Sequence, residues 1–306
     1  MSLYAGFDLG GTQLKHGVIN QKGKVIFKDK IETPTKIEEL IRHLKRIWEK
    51  LKRQHKEPIA ACGFGFPGIF HRQEKKIYQS PHFPELDCFD LHPALSHSID
   101  APFFLNNDAN LAIFAEYQLG AGKGVQSLLL LTIGTGIGTG IILDGKLWGG
   151  LRGFAGELGH ATVNLQGDKC PCGSRGCLET EVSAPKIVKT YKELKKTEEE
   201  VDAEDVFQRA KKGDPEAREA YALAGYYLGI GLSIAINFLN PEKILLGGGV
   251  IEGAEFILPP ALREARKRSF AASFACCRIE KAALSNDAGF IGAALWAKDQ
   301  LKECRA

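Results

Sequence analysis

Excess charge of either sign is nearly missing from this chain: 40 lysines and arginines face 37 aspartates and glutamates, a formal net of +3. No stripe of basic residues stands out, so nucleic acid is not the expected partner. Long uninterrupted apolar runs are missing as well. The most apolar stretch, 127–143, is broken by Gly134, Gly136, Gly138 and Gly140 and is too short to span a bilayer. Residues 1–8 carry neither a basic segment nor an apolar core, so no secretory leader is expected. There is no low-complexity linker. With 44% hydrophobic and 25% charged residues, disorder, collagen and coiled coil are excluded. Eight cysteines without a leader point to thiols in a reducing, cytoplasmic setting.

What the chain has in quantity is glycine, 34 of 306 residues, above the usual ~7%. The pattern predicts strands over 3–8, 14–20 and 25–31, with a Gly10-Gly11-Thr12 turn between the first two. Ile37, Leu40, Ile41, Leu44, Ile47, Trp48 and Leu51 recur at helical spacing, and Thr35 with Glu38 has the form of a capping box. Further strands are expected over 59–66 and 102–105, the latter running into Asn106-Asn107-Asp108 and a short helix. The opening pattern then recurs as a strand over 128–132, the turn Gly134-Thr135-Gly136, a strand over 137–143 and a hairpin signal at Asp144-Gly145. This reads as one strand–Gly/Thr turn–strand unit used twice, or as two glycine hairpins alike by chance. The second half is mostly helical. Helices over 185–196 and 203–212 carry mixed charges read as a solvated face. A long helix starts at Asp214-Pro215 and stops before Asn240-Pro241. A short strand over 244–246 enters Gly247-Gly248-Gly249, and a last helix covers about 288–301. The class is α/β.

Two motif matches are set aside. Gly63, Gly65 and Gly68 have dinucleotide-fingerprint spacing, but no helical periodicity follows Gly68. The stretch 140–146 resembles a P-loop, but Leu147 stands where a hydroxyl is needed. Three glycine turns remain, at 10–12, 134–136 and 247–249. Each is either an ordinary β-turn or a phosphate cradle of backbone N–H groups. Asp108 lies where a strand ends, the place where α/β sheets bind ligands. It is either a general base beside an orienting Asn107 or the N-cap of the following helix. Cys170, Cys172 and Cys177, with His160 upstream, make a closed tetrahedral shell for structural Zn²⁺. A disulfide and unligated core thiols are the alternatives.

In order along the chain stand Asp8-Leu-Gly-Gly-Thr12, Asn107-Asp108-Ala-Asn110, Gly134-Thr-Gly-Ile-Gly138 and Gly156-Glu-Leu-Gly-His160. The cysteine cluster through Glu179, Asn240-Pro-Glu242, Gly247-Gly-Gly249 and the helix start at 289–294 follow. This ordered set resembles the ROK family of repressors and sugar kinases, over nearly the whole chain. The resemblance implies the actin/hexokinase-like architecture, two α/β domains facing a cleft. Here these are 1–115, completed by about 288–306, and 116–287 with the metal motif. It implies ATP-dependent phosphorylation of a hexose 6-hydroxyl, with glucose the leading substrate and N-acetylmannosamine or N-acetylglucosamine the alternative.

Carried over residue by residue, Asp108 falls on the general base. Gly68, Asn107, Asp108, Glu157, His160 and Glu179 fall on the sugar. Gly10, Gly11, Thr12, Gly134, Thr135 and Gly136 fall on the phosphate turns, Gly248 and Gly249 on the adenosine, and Asp8 near Mg²⁺ through water. The resemblance makes His160 a Zn²⁺ ligand and a sugar contact at once, so metal loss is expected to loosen the sugar residues before the ATP turns. A homodimer or higher homo-oligomer is expected, with no membrane and no nucleic acid. A non-catalytic sugar-sensing regulator is the other reading, disfavoured because Asp8 leaves no room before it for a helix-turn-helix. Two departures touch the expected sugar pocket: His82 stands where asparagine is common, and Phe66 is bulkier than usual.

Overall fold

The computed structural model describes residues 2–80 and 83–305. Two five-stranded sheets carry the fold. In the first, β1 (Leu3–Leu9), β2 (Gln13–Asn20) and β3 (Val25–Glu32) pair antiparallel in sequence. Next, β4 (Ile59–Phe66) runs parallel beside β1. A separate small hairpin, β5 (Ile69–His71) with β6 (Lys76–Gln79), precedes β7 (Phe103–Asn107), which joins β4 in parallel. The second sheet is made of β8 (Leu128–Ile133), β9 (Ile137–Leu143), β10 (Lys146–Leu147), β11 (Lys243–Gly247) and β12 (Arg278–Lys281). The strand orders are β3-β2-β1-β4-β7 and β10-β9-β8-β11-β12. Position for position they match: β1 answers to β8, β4 to β11 and β7 to β12. The doubled glycine turn is therefore a doubled topology rather than two chance hairpins.

Ten α-helices complete the described residues: α1 (Ile37–Gln54), α2 (Leu91–Ser96), α3 (Asp108–Leu119), α4 (Leu178–Val182), α5 (Ala184–Lys195), α6 (Ala203–Lys211), α7 (Pro215–Leu239), α8 (Ala254–Arg268), α9 (Ala271–Cys276) and α10 (Ala288–Glu303). The chain forms two compact units. One comprises Met1–Gly124, Gly140–Ala155 and Ala283–Ala306; the other comprises Val125–Thr139 and Gly156–Ala282.

In the first unit, side-chain alternation along β1 decides the packing. Leu3, Ala5, Phe7 and Leu9 join Leu40, Leu44, Trp48 and Leu51 of α1 in one core. The opposite face takes α10, and glycine makes the approach possible. A Cβ on Gly6 would lie 1.9 Å from the Phe290 carbonyl oxygen, and one on Gly63 would lie 1.9 Å from that of Ala293. That packing, followed by β5 instead of a helix, accounts for the dinucleotide-like glycines. The P-loop-like segment is the β9–β10 hairpin, whose Asp144 and Gly145 have φ of 51° and 72°, the signs a type I′ turn requires.

One local expectation is overturned. Thr35 and Glu38 form no capping box; α1 begins at Ile37 with Lys36 at the N-cap, without a side-chain cap. Glu85, far along the chain, accepts from the Ile37 N–H at 2.7 Å and pairs with Lys36 at 2.8 Å. A carboxylate there also suits the positive end of the helix.

In the second unit α7 packs against α4, α5 and α8. Asp214 caps it through the Glu216 and Ala217 N–H groups, with Pro215 in the first turn. It is the one helix among the described residues long and apolar enough to cross a membrane, and half of its most apolar window is buried in the protein.

Candidate active site and metal centre

In the first unit the expected site residues lie where β1, β4 and β7 end. After β4, Gly68 has φ of 106°, and a Cβ there would sit 2.2 Å from the Gln79 carbonyl oxygen. Its own carbonyl accepts from Asn107 Nδ2 at 2.8 Å. Asn107 Oδ1 accepts from the Asn110 N–H at 3.1 Å, so Asn107, not Asp108, is the N-cap of α3. Asp108 is the first helical residue, half-buried, its Oδ1 accepting from the Ala109 N–H at 2.8 Å. Having the cap supplied by its neighbour answers the alternative reading of Asp108.

The turn after β1 is braced from behind. Gly10 N–H donates to Gln13 O at 3.0 Å, while the Thr33 hydroxyl and N–H donate to Gly10 O and Thr12 O at 2.6 and 3.0 Å. Gly11 and Thr12 are left exposed, and no protein atom comes within 4 Å of a Cβ on Gly11. At the same strand end, the Asp8 carboxylate rests against Gly289, where a Cβ would be 2.2 Å from it. Desolvation pushes the Asp8 pKa up to about 6, against the opposing charge of Lys15.

The second unit repeats the arrangement. Gly134, after β8, also has no protein atom within 4 Å of a Cβ, and Thr135 is exposed. After β11, Gly248 has φ of 87° and lies so close to β8 that a Cβ would be 2.3 Å from Ile133 O. The two turns are thereby set side by side, with Gly249 open. Next to Thr135 lies a cavity of about 730 Å³, walled by Pro185, Val188, Lys189 and Lys192 of α5 and by Asp202. That size suits a small-molecule site. Sequence reasoning missed this wall, taking the charges of α5 for a solvated face. The apolar Pro185 and Val188 beside Lys186 and Lys189 were the signal available.

The ligand atoms of His160, Cys170, Cys172 and Cys177 all lie within 4.8 Å of one another. Cys172 and Cys177 sulfurs are 3.7 Å apart, and Cys170 Sγ is 3.6 Å from His160 Nδ1. A tetrahedral zinc with bonds of about 2.3 Å to sulfur and about 2.0 Å to nitrogen places such pairs about 3.8 and about 3.5 Å apart. The set fits the metal. A disulfide, at about 2.05 Å between sulfurs, does not fit, and all eight cysteines are free. Burial and hydrogen bonds with the neighbouring thiols push Cys177 up to about 12, a load that a bound cation would relieve.

The other ring nitrogen of His160, Nε2, lies 3.9 Å from Glu157 Oε2. Glu157 is exposed, yet crowding by protein raises its pKa; His160 opposes the shift and Glu179 adds to it. Glu179 Oε2 accepts from the Ile137 N–H at 2.8 Å. The expected sugar residues thus divide between the units, with Gly68, Asn107 and Asp108 in one and Glu157, His160 and Glu179 in the other. Of the two departures, Phe66 is 2% exposed and stacks on Phe64 within the core. His82 lies outside the described residues.

Comparison with known proteins places this geometry. The chain is 35% identical to a glucokinase of Halalkalibacterium halodurans, over 97% of this chain and 95% of that one. It is 32% identical to an N-acetylmannosamine kinase of Haemophilus influenzae (96% and 95%). It is 31% identical to a xylose repressor of Caldicellulosiruptor bescii (94% and 76%). Among solved structures, a ROK family glucokinase from Streptomyces griseus in complex with glucose and AMPPNP superposes with a TM-score of 0.88. The identity is 27%, covering 97% of this chain and 99% of that one. The fold is the actin/hexokinase-like α/β fold. The ROK family model matches residues 4–300, and the chain belongs to the ROK family.

Proposed function

We propose that this protein is an ATP-dependent sugar kinase that phosphorylates the 6-hydroxyl of glucose. One observation carries the reading: Asn107 takes the cap of α3 and leaves the Asp108 carboxylate on its first turn, at the end of β7. In the reaction, Asp108 accepts the proton of the sugar hydroxyl while that oxygen bonds to the γ-phosphorus of ATP. The bond between this phosphorus and the β–γ bridging oxygen breaks, and ADP leaves. Asn107, fixed at both ends of its amide, orients the hydroxyl. Gly68, Glu157, His160 and Glu179 hold the sugar. Backbone N–H groups at 10–12 and 134–136 receive the phosphates, since phosphoryl transfer is mostly positioning and charge stabilisation. The cavity beside Thr135 receives the nucleoside, with Gly248 and Gly249 on the adenosine side. Asp8, a desolvated carboxylate, would serve Mg²⁺ through water; that ion neutralises phosphate charge. The cysteine–histidine set would hold zinc with no open position, so the metal fixes the His160 tautomer rather than activating water.

Glucose is favoured by the glucokinase relatives, and the N-acetylmannosamine kinase relative supports the second substrate reading. The repressor relative keeps a sugar-sensing role in view. A coupled ADP-release assay across glucose, other hexoses and N-acetylhexosamines separates all three. We expect glucose-dependent turnover, falling by about 10²–10⁴ in Asp108→Asn with far less change in sugar affinity. Absence of ADP release with every sugar of the panel would support the regulator; an Asp108→Asn protein near wild-type turnover would remove Asp108 as the base.

A further inference from the structure

We propose that Glu179 is a positioning residue for the phosphate turn, in addition to any contact with sugar. The turn 134–136 is held at both ends by one short segment. Glu179 Oε2 accepts from the Ile137 N–H, the first amide after the turn, at 2.8 Å. At the other end, the Ala184 N–H donates to Gly134 O at 2.8 Å. Ile137 opens β9, and its amide is bound by a carboxylate, a charge-assisted bond stronger than one between neutral groups. Glu179 lies on α4, whose N-cap is Cys177, and Ala184 is the first residue of α5. Cys177 is fully buried and belongs to the metal-binding set. The cluster therefore fixes the start of α4, and α4 with the start of α5 fixes the path of the turn.

This rests on reading 134–136 as a phosphate turn, and it revises an expectation from the sequence. The ATP turn is not the last part to feel the metal; it is tied to the segment that the metal anchors. Loss of the metal should weaken nucleotide binding together with sugar binding.

The test is calorimetric titration of a non-hydrolysable ATP analogue, with no sugar present, into wild type, Glu179→Ala and Glu179→Gln. Loss of a hydrogen bond to a charged group should weaken binding to Glu179→Ala by about tenfold or more. Glutamine keeps an acceptor oxygen at the same reach, so Glu179→Gln should stay within about threefold of wild type. A residue that only held sugar would leave this sugar-free affinity unchanged, and an unchanged Kd in Glu179→Ala overturns the proposal. Equal weakening in both variants also overturns it. If Glu179→Ala does not fold, Glu179→Asp, which draws the carboxylate back by one methylene, takes its place with the same expected loss. Failure of wild type to bind the analogue would instead overturn the kinase reading.

Discussion

Asp8, half-buried near the end of β1, has a carboxylate whose pKa is pushed up to about 6 by desolvation. A proton held more tightly in the folded than in the unfolded chain favours folding at low pH, and that contribution is lost as pH rises through about 6. Above this value the folded protein carries a desolvated charge that Lys15 only partly offsets. Asp8→Asn removes it. We expect the variant to melt above wild type at pH 7.5, with the difference vanishing below the ordinary carboxyl value of 3.8. Its Mg²⁺-dependent ADP release should be lost over the same range. Thermal melts at the two pH values decide this, and a lower Tm at pH 7.5 would refute it. At this scale the metal-ligand set was legible from the sequence. The cysteine set stands out by residue type and spacing alone, whereas spacing left Asp108 open between a base and a helix N-cap, and its role came from the family resemblance. The pairing of Asn107 with Gly68 was not legible, because it links two strand ends that are neighbours only in the folded sheet.

Among the turns, the glycines fall into two kinds. Gly134 has room for a Cβ, with no protein atom within 4 Å, whereas Gly248 has φ of 87° and a neighbour 2.3 Å away. Gly134→Val should therefore change stability by less than about 1 kcal/mol, yet block phosphate approach and weaken nucleotide binding at least tenfold. Gly248→Ala should lose roughly 2 kcal/mol or more, from strain and overpacking together. Urea denaturation alongside nucleotide titration separates the two; a destabilised Gly134→Val protein would mean that the turn is held by its own glycine. Elements set by local periodicity, such as α1, α7 and the strands around both turns, were readable from the residues. Those set by distant partners were not. The cap of α1 comes from Glu85, and the cavity wall needs residues 196–203 laid against α5. Charge on a helix looks solvated until the loop that faces it is known.

Over the whole molecule, the cysteine–histidine set is the feature most open to direct measurement. Elemental analysis should find close to one zinc per chain, and Cys172→Ser should lose it. Stripping the metal should lower the Tm and raise the sugar KM strongly; accessible, reduced cysteines with no zinc would end this reading. The other feature of consequence at this scale is the origin of α10. Gly6 and Gly63 have no side chains because the backbone of this helix lies against them, and Gly292 is pressed as closely onto Leu111. β1 is made well before α10, so on the ribosome the glycine face of the first sheet must wait, uncovered, through the synthesis of the entire second unit. Domains usually fold as they emerge, the N-terminal one first. Here we expect that order to be reversed, with Val125–Thr139 and Gly156–Ala282 closing while the first unit is still incomplete. A nascent chain stalled before Ala288 should then be cut by protease within β1–β4 but resist cutting in α7 and α8, and emergence of α10 should seal the earlier half.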